Sequence, residues 1–196
     1  MGIEMPVRAE KASSADEMGD IERLIDARAY RQAVALCARE HGPAIGRLCM
    51  AMLGVQAEAE EALQETLVAA HAGMHGYRAD GTVRAWLFGI ARRTCARRIE
   101  ARVRRERKLV LVHDADASSP TPADLVEARR RAEIVREALE RLKPSEREAL
   151  LLRYEADLSY REIGHACGLD EATARKRASR ALEKLAALLQ SKEGTP

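Results

Sequence analysis

Three observations predict an all-α fold of two small helical domains joined by a flexible linker. Apolar residues make up 46% of the 196-residue chain, yet only 3% of residues are aromatic, so the apolar content is mostly Ala, Leu, Val and Ile. Ala and Leu mixed with many Arg and Glu favour helix by propensity. Apolar positions recur at helical spacing along most of the chain, and only Leu109 to Val112 reads as a short β-like run. A Pro-, Ser- and Asp-containing stretch from Leu109 to Ala123 then divides two helical blocks. The predicted organisation is a flexible tail over 1–19, a helical domain over 20–108, a linker over 109–123, a second helical domain over 124–190 and a tail over 191–196.

The elements follow in order. Met1 to Gly19 mixes Gly, Pro, Ser and charges without a period, which predicts a tail. From Asp20, a candidate cap, Ile21, Leu24 and Ile25 fall at helical spacing, and Tyr30, Val34 and Cys37 continue the rhythm. His41-Gly42-Pro43 predicts an interruption before a further helix from Ala44 to Leu53, stopped by Gly54. Another helix starts near Ala57, with Leu63, Leu67 and Ala70 on its apolar face. Gly73, Gly76 and Gly81 mark a loop, and Val83 to Lys108 reads as one long helix anchored by Trp86, Leu87, Ile90 and Ile99.

The second block opens near Asp124 with a stripe of Leu125, Ala128, Ala132, Val135, Leu139 and Leu142. Lys143-Pro144 ends that helix, because the residue before proline is pushed out of the α region. Ser145 and Glu148 are spaced as a capping box for the next helix, which runs to about Glu155.

Charge is informative only in its distribution: Asp, Glu, Lys and Arg make up 33% of residues, but the formal net charge is +2. Cys37, Cys49, Cys95 and Cys167 are widely spaced with no C-x-x-C, and no apolar run has the length of a membrane span. The N-terminus lacks the pattern of a secretory signal. A cytoplasmic, reduced protein without membrane insertion is expected, its cysteines acting as small buried apolar residues. There is no phosphate loop, no HExxH and no nucleophile motif, so no catalytic residue and no cofactor is expected. His71 with His75, and Cys37 with His41 and Cys49, are weak metal-ligand patterns without a matching partner pair, and no metal site is assigned.

The strongest local pattern lies between Glu133 and Leu189. Ser159 can cap a short helix with Glu162 at the reciprocal position. Gly168 follows its last turn, where left-handed backbone is needed, Leu169 can plug the corner, and Asp170 caps a new helix. Two short helices joined by such a turn form a helix-turn-helix DNA-binding motif. In the second helix Ala174, Ala178, Ala181, Leu182 and Leu185 share one face; Arg175, Lys176, Ser179 and Arg180 lie largely on the other, with Arg177 near the boundary. A basic face at a helix N-terminus suits the major groove, where Arg can hold guanine bidentately and Lys can neutralise phosphate.

Two further charge patterns stand in the first block. Glu58, Glu60, Glu61 and Glu65 cluster with no Lys or Arg between Val55 and Ala70, an acidic patch suited to a basic protein surface or simply to solvent. Arg92, Arg93, Arg97, Arg98, Arg102, Arg104, Arg105 and Arg107 crowd the long helix, opposed only by Glu100 and Glu106, an electrostatic footprint for phosphate.

These segments carry a resemblance. Leu158-Ser159-Tyr160-Arg161-Glu162-Ile163 with the helix after it, and the lead-in Ala138-Leu139-Glu140-Arg141-Leu142-Lys143-Pro144, resemble region 4 of the extracytoplasmic-function sigma factors. Glu60-Glu61-Ala62-Leu63-Gln64-Glu65-Thr66-Leu67 and Arg84-Ala85-Trp86-Leu87-Phe88-Gly89-Ile90-Ala91-Arg92 resemble region 2 of the same family. The resemblance spans about Ala29 to Leu189. It implies a factor that binds the β′ and β subunits of core RNA polymerase and promoter DNA, and it admits an anti-sigma protein as a further partner. By resemblance Glu61, Leu63, Gln64 and Glu65 dock on polymerase. Thr173, Arg175, Lys176, Arg177, Ser179 and Arg180 read the −35 element. Tyr77, Arg78, Arg84, Trp86, Arg92, Arg93 and Arg97 meet the melted −10 element, although Trp86 is the commoner thing for a Trp at that spacing, a core anchor. The linker, with Asp114, Asp116 and Asp124, threads the RNA-exit region.

The chain departs from the family pattern at several points. Arg93 stands where Asn is common and Arg97 where Asp is common, which shifts that face toward phosphate contact. Ala172-Thr173-Ala174 replaces the usual Gly-Thr-Val, and Lys176 replaces a common Ser. The rival reading, a helix-turn-helix repressor acting without polymerase, has no use for the first block.

Overall fold

A computed structural model of the chain describes residues 15–108 and 123–193. Among these residues the secondary structure is helical, and the order is α1 (Ala15–Asp26), α2 (Tyr30–Leu53), α3 (Gln56–Gly73), a 3-10 turn (Met74–Gly76), α4 (Val83–Lys108), α5 (Ala123–Glu140), α6 (Pro144–Tyr154), α7 (Tyr160–Cys167) and α8 (Glu171–Glu193). The β-like run at Leu109 to Val112 and the expected linker, including Asp114 and Asp116, lie outside the described residues; Ala123, placed at the linker's end, opens α5.

Helices α1 to α4 form the first group, built on α2 packed against α3 and α4. The core runs through Ile21, Ile45, Leu48, Leu87 and Phe88, all fully buried. Two expectations are corrected here. The first helix begins at Ala15, so Asp20 does not cap it; it lies inside the helix and pairs with Arg23. His41-Gly42-Pro43 does not break the chain either, since α2 runs through Pro43 as one helix. Proline costs a helix the bond to the carbonyl four residues back. Here Ala33, Cys37, Ile45, Leu48, Cys49 and Met52 form a buried stripe that continues across the proline, so burial outweighs the lost bond.

The buried face of α3 is also rotated from the expected one. Ala59, Ala62, Thr66 and Ala70 face the core, while Leu63 and Leu67 are half-buried at its margin. Small residues at the contact let α3 sit close to its neighbours. The Thr66 hydroxyl donates to the Ala62 carbonyl at 2.7 Å, so its burial leaves no polar group unsatisfied.

In the second group, Ala138 near the end of α5 and Leu142 just beyond it are buried, and Val135 is 39% exposed. Lys143 is the N-cap of α6, with Pro144 in its first turn. The carboxylate that returns to the Lys143 backbone N–H belongs to Glu146, at 3.3 Å. The expected Ser145–Glu148 box is therefore displaced: Pro144 has no N–H to lose at the first helical position, which fixes the start of the helix before Ser145. In α8, Ala174, Ala178 and Ala181 are buried, but Leu182 is 43% exposed and Leu185 half-buried. A small core of Leu142, Leu150 and Ala181, flanked by Leu139, Leu185 and Leu188, joins α5, α6 and α8. The larger core is continuous between the groups, because Leu152, Leu158 and Ile163 pack into the same cluster as Phe88.

Among the described residues no helix is long and apolar enough to cross a membrane.

Candidate nucleic-acid interface and the acidic patch beside it

The α7–α8 pair is built by its caps. The Glu162 N–H donates to Ser159 Oγ at 3.2 Å, and the Ser159 N–H donates to Glu162 Oε2 at 2.9 Å. Gly168 has φ 69°, a left-handed conformation that lets the Leu169 N–H return to the Gly164 carbonyl at 2.8 Å. Asp170 accepts the Thr173 N–H at 2.7 Å and the Thr173 hydroxyl at 2.6 Å. Those bonds, the hydroxyl first, hold the Asp170 carboxyl below the usual carboxylate range. Thr173, expected to meet DNA, thus directs its hydroxyl at the cap.

Along α8, Arg175, Lys176, Ser179 and Arg180 line one open face, and Arg177 is half-buried at its edge. Arg175 is held in place. Its guanidinium donates to Glu171 at 2.8 Å and lies 5.2 Å from the centre of the Tyr160 ring. Arg153 lies 5.4 Å from the same ring, so Tyr160 attracts both cations through its π face. Neither Tyr160 nor Arg153 stands out in the sequence as part of this surface; the i, i+4 spacing of Glu171 and Arg175 was the one visible signal.

On the first group, Tyr77 and Trp86 pack together with ring centres 5.3 Å apart and planes tilted by 57°. The Tyr77 hydroxyl donates to the Gly81 carbonyl at 2.6 Å, and burial pushes its pKa up to about 12. Trp86 is half-buried in this arrangement, a margin of the core and not a free platform. Arg78, Arg93 and Arg97 are exposed.

Arg84 and Arg92 are placed differently. Arg84 donates to the Ala156 carbonyl at 2.5 Å and to the Asp157 carbonyl at 3.1 Å, with the Glu162 carboxylate 4.0 Å away. Arg92 donates to both carboxylate oxygens of Glu148, at 3.0 and 3.1 Å. Two of the expected −10 residues therefore touch the second helical group.

The basic stripe and the acidic patch are partly each other's partners. Arg98 donates to Glu61 at 2.9 Å and to Glu65 at 2.6 Å, and Arg102 approaches Glu58 at 3.8 Å. The Arg98 hydrogen bond lowers the Glu65 carboxyl pKa, and the same bonds raise that of Arg98. The Glu61 and Glu65 side chains stay 66% and 52% exposed, and Gln64 is exposed beside them. Leu63 is half-buried, while Val68 is 70% exposed on the same helix.

Among the described residues no three potential ligands converge as a metal site, and His71 and His75 are both exposed. Cys37, Cys49 and Cys95 are buried, and burial pushes the Cys37 thiol up to about 11.

Comparison with known proteins agrees with this layout. Residues 37–105 match the family model of sigma-70 region 2, and residues 132–185 match that of sigma-70 region 4. The ECF RNA polymerase sigma factor EcfG of Rhodopseudomonas palustris (strain TIE-1) is 32% identical over 152 residues, covering 75% of this chain and 80% of the relative. SigM of Bacillus subtilis (strain 168), also an ECF sigma factor, is 32% identical over 136 residues, covering 66% of this chain and 78% of the relative. Among solved structures, CnrH in complex with the cytosolic domain of CnrY superposes with a TM-score of 0.64 at 24% identity, covering 88% of this chain and 99% of that one; it speaks for the fold alone. The sigma factor RpoE of Bartonella quintana, in complex with the anti-sigma factor NepR, gives 0.61 at 25% identity, covering 83% and 98%. With both sigma-70 regions in order on one helical chain, and relatives of this similarity, the protein belongs to the extracytoplasmic-function subfamily of RNA polymerase sigma factors, which direct promoter-specific transcription initiation.

Proposed function

We propose that the chain carries out no covalent chemistry and works by placing three surfaces at once, in the cytoplasm where core polymerase is found. Glu61, Leu63, Gln64 and Glu65 on α3 dock on the β′ subunit. The exposed face of α8 reads duplex DNA at −35, with Arg175, Lys176, Arg177, Ser179 and Arg180 as its contacts and Thr173, bonded to the Asp170 cap, at the head of that face. Tyr77, Arg78, Arg84, Trp86, Arg92, Arg93 and Arg97 serve the −10 element, chiefly through phosphate. The β subunit is a second polymerase contact by family analogy, and an anti-sigma protein is a candidate partner because RpoE of Bartonella quintana is seen with one.

The observation that supports the reading most is the co-occurrence, on one chain, of a capped basic recognition helix and an exposed acidic patch fixed by Arg98. A repressor would need only the first. Reversing both charges, Glu61→Lys with Glu65→Lys, should weaken co-elution with core polymerase by at least about tenfold, the usual effect of placing like charge against a complementary surface. It should leave the far-UV circular dichroism spectrum intact, since exposed ion pairs of this kind contribute under about 1 kcal/mol. Unchanged co-elution would remove the patch from the interface, and failure of the folded parent to bind core polymerase would remove the reading.

On α8, Arg175→Ala and Arg177→Ala should each cost about 1–3 kcal/mol in promoter binding if they contact base edges. A gel-shift series with promoter duplexes, and with non-specific duplex as reference, separates such contacts from phosphate contacts. Equal losses on both duplexes would assign the residue to the backbone.

A further inference from the structure

The cations on the open face of α8 are not equivalent. Arg175 is tied down and still open. Its Nη2 donates to Glu171 at 2.8 Å, one helical turn back, and its guanidinium lies over the Tyr160 ring at 5.2 Å. The side chain nevertheless stays 61% exposed. Lys176 and Arg180 on the same face are exposed too, but no carboxylate among the described residues pairs with either. Helical spacing makes Lys176 and Arg180 neighbours, two like charges that repel each other.

Both anchors of Arg175 are themselves fixed. Tyr160 opens α7 directly after the Ser159 cap and packs at the margin of the larger core. Arg153 of α6 lies 5.4 Å from the same ring and donates to the Leu158 carbonyl at 3.0 Å. The ring therefore joins three helices at one point: its own, α6 through Arg153 and α8 through Arg175. Glu171 follows the Asp170 cap, whose two bonds to Thr173 set the start of α8. The α7–α8 turn thus dictates where both anchors stand.

What each cation can do with duplex DNA follows from this difference. A guanidinium carries five N–H donors, and the bond to Glu171 uses one. The remaining donors can still meet guanine O6 and N7 together. Such a two-bond contact demands direction, and a side chain already ordered loses less freedom on making it. A phosphate contact demands little direction, which suits an unpaired cation. The Glu171 carboxylate also repels phosphate, so it weakens non-specific attraction to the same face.

We infer that Glu171 and Tyr160 are positioning residues for base reading: together they aim Arg175 at one guanine, while Lys176 and Arg180 supply phosphate contacts without sequence preference. The inference rests on the reading of α8 as the −35 surface, and the experiment separates the two. Glu171 also sits in the first turn of α8, where a negative charge favours the helix N-terminus. A role confined to helix stability would not depend on Arg175, and that difference is measurable.

The full chain is first used to enrich duplexes from a library with a randomised window, and the enriched duplex is then compared in gel shifts with a scrambled duplex of the same composition. Glu171→Gln should lose about tenfold in affinity for the enriched duplex, within the discrimination that one bidentate base contact supplies. Its affinity for the scrambled duplex should hold or rise, because a charge that repels phosphate is gone. Tyr160→Leu should lose the same discrimination, and Tyr160→Phe, which keeps the ring, should retain it. In an Arg175→Ala background Glu171→Gln should change discrimination no further, the mark of two residues acting through one contact. Unchanged discrimination in Glu171→Gln, an equal loss on both duplexes, or a further loss of discrimination in the Arg175→Ala background would overturn the role of Glu171. Discrimination kept by Tyr160→Leu, or lost as fully with Phe as with Leu, would overturn that of the ring. A parent chain that enriches no sequence would remove the −35 reading itself, and the inference with it.

Discussion

Phe88→Ala is expected to lower the stability of the chain by about 3–5 kcal/mol, the range for deleting a buried aromatic ring from a packed core. Phe88 is fully buried on α4, in the cluster shared by Ile21, Leu48, Leu152 and Ile163, and it is the one Phe of the sequence. Its ring also lies 5.9 Å below the Arg84 guanidinium, so the cavity would sit under the residue that reaches the Ala156 and Asp157 carbonyls. Domains of this size hold about 5–15 kcal/mol in all, which makes the loss a large share of the total. Urea unfolding followed by circular dichroism measures it. Phe88→Leu, which keeps most of the volume, should lose under about 2 kcal/mol. A midpoint for Phe88→Ala close to that of the parent would mean that α4 is not anchored where it is described.

Gly164→Val is expected to disrupt the α7–α8 pair and to abolish duplex binding. A Cβ at this position would lie 2.7 Å from the Leu169 carbonyl oxygen, a backbone atom that cannot move aside without opening the turn. The same Gly164 carbonyl accepts the Leu169 N–H, so the contact and the bond that closes the turn would be lost together. Overpacking of a tight site costs about 1–3 kcal/mol, and the branched side chain argues for the upper end. Gly168→Ala should be milder, about 1 kcal/mol: its φ of 69° disfavours a side chain, but nothing stands within 4 Å of the added Cβ. Melting temperatures and gel shifts on the two variants check the order. A Gly168 variant worse than the Gly164 variant would contradict it.

The two glycines also mark how far the sequence could be read. Gly168 was legible because left-handed backbone after a short capped helix has a local signature. Gly164 was not, because its requirement comes from a carbonyl that only the folded turn brings near. The same division holds elsewhere. The α4 boundaries and the Ser159, Glu162 and Asp170 caps follow from nearest-neighbour rules and were predicted. The break at Pro43 was predicted and is absent, because a buried stripe spanning α2 outweighs one local defect. The Ser145 cap was displaced to Lys143, since two overlapping start signals compete and proline settles the register.

Site residues divide in the same manner. Composition placed the acidic patch and the Arg-rich helix in the sequence. It could not tell that Arg98 faces Glu61 and Glu65, since the partners are 37 and 33 residues apart. Nor could it tell that Arg84 and Arg92 turn toward the second group while Arg93 and Arg97 face out. A helix of nine arginines reads as one stripe in sequence; in three dimensions its members have at least two assignments.

The most direct test of the central claim is single-round runoff transcription with purified core polymerase and a promoter fragment from upstream of the chain's own gene. The account predicts a defined transcript that requires the chain and is lost with the Glu61→Lys, Glu65→Lys variant and with Arg175→Ala. Polymerase that initiates equally well without the chain, or a folded chain that binds the duplex yet never directs core polymerase to a start site, would contradict it.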